Sequence, residues 1–68
     1  MIDTNALRGI IAARGLSQRD VADELGMSSK TFYSKMKKGV FGTDEMEAMI
    51  DFLCIENPLS IFFANKRT

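Results

Sequence analysis

SQRDVADELGMSSKTFYSKMKKG, the stretch from Ser17 to Gly39, sets two short capped helical segments on either side of one tight turn. Ser17 suits a helix N-cap, and Asp20, three residues on, is placed to reach back to it. Val21, Ala22 and Leu25 then recur at helical spacing as an apolar face. Gly26 ends that segment by supplying the left-handed conformation that closes a helix sharply, and Met27 and Ser28 follow as an apolar plug and a new N-cap. The second segment turns Phe32 and Met36 inward and Lys30, Ser34 and Lys37 outward, and Gly39 stops it. The layout is a helix-turn-helix whose outer face is polar and basic.

Working outward, Asp3 or Thr4 caps a first helix over about 4–14, with Ala6, Leu7, Ile10 and Ile11 as its apolar stripe and Gly15 as its stop. Beyond the loop from Gly39 to Gly42, Thr43 is the expected cap of a helix over 43–54. Asp44, Glu45 and Glu47 lie at its positive end, and Met46, Met49, Ile50 and Leu53 fall at i, i+3, i+4 and i+7. Asn57 and Pro58 mark a last short helix over 58–63, and the tail 65–68 is expected to fray. Met27, Met36, Met46 and Met49 all sit at inward positions, so core filling is favoured over an adaptable binding groove. The chain contains no repeat or linker that would divide it. It is expected to be one all-α domain, a compact five-helix bundle.

Composition narrows the function classes. A chain of 68 residues hides only about 60% of its unfolded surface on folding, so most of its residues must serve as scaffold. No apolar stretch approaches the roughly 20 residues that span a bilayer. The opening MIDTNALRG does not resemble a secretory signal, so a cytoplasmic location is expected. There is no histidine and a single cysteine, Cys54, which rules out the common metal-ligand sets, histidine-based triads and an internal disulfide. Cys54, between Leu53 and Ile55, reads as a buried, unreactive thiol. No cleft carboxylate pair and no phosphate-binding glycine loop is apparent, so no enzyme activity, cofactor or metal is expected.

A formal net charge of zero conceals a division. Up to Val40 the chain carries seven basic and four acidic residues, and from Phe41 onward two basic and five acidic ones. Ser28 to Gly39 holds four lysines and no acid. A basic patch there is the footprint of a polyanion partner, although lysines near a helix C-terminus also suit the helix dipole.

LSQ at 16–18, VAD at 21–23, LGM at 25–27, the Ser28 cap and the apolar Phe32 closely resemble the helix-turn-helix of phage repressors and Cro-like regulators, the Xre class. The resemblance covers nearly the whole chain, and Gln18, Ala22 and Gly26 are its most specific part. It implies a phage repressor-like DNA-binding fold and a transcriptional regulator that reads the major groove of double-stranded operator DNA with helix 28–38. By carry-over, Ser29, Lys30 and Ser34 face bases, with Tyr33 and Lys37 at the margin. Ser17, Gln18, Ser28, Lys35 and Lys38 hold phosphates. Ser17 and Ser28 serve equally as simple caps, and Tyr33 could instead lean on the scaffold. Arg14 and Arg19 read as solvated charges. The chain departs from the family pattern at Lys35, where most members carry an inward branched aliphatic; Met36 takes that role here.

Phe52, lying off the apolar face of its helix, together with Phe41, Ile61, Phe62 and Phe63, forms an aromatic surplus. It either completes the core or supports a homodimer through Phe52, Ile61, Phe62 and Phe63, which would read two half-sites. The alternative function is a protein-interaction module on the same scaffold that modulates a partner repressor.

Overall fold

In the computed structural model, which describes residues 2–62, five helices follow in order: α1 (Thr4–Ala13), α2 (Gln18–Leu25), α3 (Ser29–Lys38), α4 (Thr43–Leu53) and α5 (Pro58–Phe62). The fold is all-α, with no strand among the described residues. Phe63 and the tail from Asn65 lie outside that range, and so do the dimer and fraying expectations placed on them.

Side chains start the first three helices. The Asp3 carboxylate accepts from the Ala6 N–H at 3.0 Å. Ser17 and Asp20 form a reciprocal capping box: the Asp20 N–H donates to Ser17 Oγ at 3.1 Å, and the Ser17 N–H donates to Asp20 Oδ2 at 2.8 Å. The Thr31 N–H donates to Ser28 Oγ at 3.1 Å. Gly26 (φ 74°) and Gly39 (φ 71°) close α2 and α3 in the left-handed region, where a Cβ would be strained. Their turns are completed by Met27 N–H to Ala22 O (3.0 Å) and Val40 N–H to Lys35 O (3.2 Å).

The fourth helix begins differently from expectation. Met46 N–H bonds to Gly42 O at 2.9 Å, which makes Gly42 the N-cap and Thr43 the first helical residue. A glycine offers no capping oxygen, and Glu45 compensates by taking the Gly42 N–H on Oε1 at 2.8 Å. At α5 the Asn57 carbonyl, accepting from both the N–H (3.2 Å) and the hydroxyl (2.9 Å) of Ser60, closes the first turn.

One core joins all five helices. Leu7, Val21, Ala22, Phe32, Met49 and Leu53 are fully buried, and Phe32 and Phe41 pack with ring centroids 5.5 Å apart at 51°. Met27 and Met46 pack against this core while Met36 and Met49 are buried in it, in keeping with their reading as core filler. Ile2, Phe41 and Ile55 enter the core from outside the helices. The Asp3 N–H donates to Ile61 O at 2.7 Å and fastens the start of α1 to α5.

Of the two readings of the aromatic surplus, burial supports core completion for three side chains: Ile61 and Phe62 are 4% and 3% exposed and Phe41 is 6%. Two further expectations are corrected. Cys54 is exposed because it occupies the C-cap of α4 at φ 53°, a left-handed position that turns its side chain out between buried Leu53 and Ile55. Arg14 is not a free charge. Its guanidinium donates from Nε to Leu53 O (2.7 Å) and from Nη2 to Cys54 O (3.1 Å), satisfying carbonyls that the end of α4 leaves open.

Capping also sets an acid sensitivity. The Asp20 carboxyl lies below its ordinary value of 3.8, chiefly through the Ser17 backbone hydrogen bond and then the Ser17 hydroxyl, with burial opposing them and the neighbouring Arg19 charge adding a lesser lowering. A depressed carboxyl contributes stability that is present above its unfolded value and lost as pH falls through its folded value. The stability advantage of the native chain over Asp20→Asn should therefore hold from pH 7 to about 4 and shrink below that. Urea midpoints of the two proteins measured from pH 7 to about 2 check this, and a constant difference across the range would contradict it.

Candidate nucleic-acid interface

The second helix holds the third in place through small and apolar contacts. Val21 and Ala22 are fully buried, and the absence of bulk at Ala22 lets a neighbouring helix approach closely across a short turn. With Phe32 and Met36 anchored in the core, helical geometry sends Lys30, Ser34, Lys37 and Lys38 to the opposite side. All four are exposed, as is Tyr33 at 51%. Ser29, the first residue of α3, is half-buried, as is Gln18 at the start of α2.

Lys30, Ser34, Lys35 and Lys38 line one shallow, open groove with Thr31 and Val40. Thr31 and Val40 were absent from the sequence-based set. The signal for Thr31 was its spacing, one residue after Lys30 and three before Ser34, and its hydroxyl is tied to Ser28 Oγ at 3.0 Å. Val40 follows the left-handed Gly39 outside the helix, so helical periodicity says nothing about it, yet it is 64% exposed at the groove's end.

The two capping serines are exposed but engaged. Ser17 Oγ accepts the Asp20 N–H, and Ser28 Oγ accepts the Thr31 N–H while its hydroxyl donates to Thr31 Oγ1. Lys35 is engaged most firmly. Its ammonium donates to both oxygens of Glu45, at 3.1 and 3.0 Å, with the two side chains 34% and 21% exposed. Met36 is 3% exposed and fills the core beside it. Lys35 therefore takes a lateral position on α3, facing the start of α4. Among the described residues this is the only ion pair, so Lys30, Lys37 and Lys38 keep their charges uncompensated.

Chemically, the face offers three free ammonium donors, a serine hydroxyl that donates or accepts, and a phenol, arranged on a helix of 10 residues. Such a set suits the acceptor edges of bases and phosphate oxygens. Comparison with protein-family models, curated proteins and solved structures finds no match for this chain. No helix of the described residues is long and apolar enough to cross a membrane.

Proposed function

We propose that the protein is a sequence-specific transcriptional regulator of the phage repressor or Cro-like kind, with α2 and α3 as its helix-turn-helix and α3 lying in the major groove of duplex DNA. The observation that carries this reading is the acid-free outer face of α3, where Lys30, Lys37 and Lys38 stand exposed, with no ion pair among the described residues, on a helix anchored by Phe32 and Met36. In this reading Lys30 donates to guanine O6 and N7, Ser34 and Ser29 meet neighbouring base edges, and Tyr33 and Lys37 work at the margin. Lys38, Gln18 and the amides at the starts of α2 and α3 hold phosphates, which fix orientation without reading sequence.

Selection of bound sequences from a random duplex pool tests the proposal. A defined motif is expected to emerge, and Lys30→Ala or Ser34→Ala should relax preference at one or two base pairs, each by about 1–3 kcal/mol of discrimination. A pool that stays random under selection would refute it. That outcome would leave the module for a partner repressor as the better account, with the exposed Leu59 (67%) and Phe52 (36%) as the apolar side chains of the C-terminal half still open to contact.

A further inference from the structure

We infer that Glu45 is an intramolecular competitor for DNA phosphate, which keeps Lys35 neutralised at the edge of the α3 groove and so limits the protein's sequence-independent affinity. The inference rests on the DNA-binding reading of α3. Lys35 lines the same concavity as Lys30, Ser34 and Lys38, so its ammonium stands where a backbone phosphate flanking that helix could reach it. Both carboxylate oxygens of Glu45 already occupy that ammonium, in the geometry a phosphate would use.

Glu45 is itself fixed from behind. Its Oε1 also accepts the Gly42 N–H, so the carboxylate is pinned by the turn that starts α4 and cannot swing away without uncapping that helix. The side chains are partly shielded from solvent, which weakens screening of the pair by salt. Glycine at the cap deepens the dependence, because position 42 offers no side chain to the first-turn N–H groups and the Glu45–Gly42 bond is left as the side-chain bond that holds the start of α4. The protein thus carries four lysines on and beside the outer face of α3 but presents three to a polyanion, and the fourth is released only when its internal anion is removed.

The test measures affinity for a random-sequence duplex about two helical turns long across a salt series. Glu45→Gln keeps an oxygen acceptor for the Gly42 N–H while discharging the carboxylate, so α4 keeps its start. Freed Lys35 should then bind a phosphate, steepening the log–log salt slope by about 0.9 and tightening binding about five- to tenfold at 0.1 M salt. The double variant Lys35→Met/Glu45→Gln should return to the slope of the native protein. The single variant Lys35→Met, in which Glu45 still takes the Gly42 N–H, should also leave the slope nearly unchanged, because native Lys35 is already neutralised.

A Glu45→Gln slope equal to that of the native protein, or a gain that survives in the double variant, would overturn the inference while leaving DNA binding intact. A native protein whose affinity is indifferent to salt would overturn the DNA-binding reading itself. Circular dichroism at 222 nm on each variant separates these outcomes from loss of helix.

Discussion

Phe32→Ala is expected to leave the domain largely unfolded near physiological temperature. The ring is fully buried at the junction of α3 with the rest of the core, packed on Phe41. Removing a buried phenyl costs about 3–5 kcal/mol when the site cannot collapse around the cavity. A domain of 68 residues has in total roughly 3–10 kcal/mol to lose. Collapse is resisted here because Phe32 is flanked by helices whose ends are fixed by caps, at Ser28 and Gly39 on its own helix and at Ser17 and Gly26 on α2. With each kcal/mol worth about 4–8 °C in a domain this small, the thermal midpoint should fall by about 15 °C or more. Thermal unfolding followed by circular dichroism decides the matter. A fall of less than about 5 °C would mean that the core around α3 repacks freely.

The helices that such a mutation would melt were largely readable from the chain, because their signals are local. A serine three residues before an acid, a glycine after the last apolar position and apolar residues at i, i+3 and i+4 each act within one or two turns. The start of α4 shows how that kind of reading slips. Thr43 is a better cap by residue type than Gly42, but the choice was made by Glu45, whose carboxylate serves both Gly42 and Lys35. No spacing rule within one helix expresses a bond to the preceding helix. Arg14 was hidden for the same reason, since its partners at Leu53 and Cys54 lie 39 and 40 residues away. Cys54 looked buried because Leu53 and Ile55 are, yet the chain reverses there at a positive φ, and a reversal exchanges inside for outside within one residue. At the candidate interface, periodicity correctly separated the outward lysines from Phe32 and Met36. It could not say that one of the four lysines has an anion of its own.

Replacing Lys30, Lys37 and Lys38 together with Gln should weaken binding to a random-sequence duplex, where no base preference draws Lys30 or Lys37 from the backbone, by roughly a hundredfold or more near 0.1 M salt and flatten the log–log salt slope by about 2.7, at about 0.9 for each phosphate left unneutralised. The fold should survive, since all three side chains are exposed and none makes an ion pair among the described residues. Glutamine retains half of the aliphatic stem and a high helix propensity, so the main local cost is the favourable interaction of Lys37 and Lys38 with the negative end of α3, about 0.3–1 kcal/mol each. Binding and stability are thus predicted to separate, the reverse of Phe32→Ala, in which both disappear together. Fluorescence anisotropy with a labelled duplex over a salt series, alongside thermal unfolding of the same variant, measures both quantities. If the slope moved by less than one unit while the protein stayed folded, the phosphates would have to be held from elsewhere. Arg8 and Arg19, exposed on α1 and α2, would then be the cations to test, and α3 would lose its claim to be the helix that meets DNA.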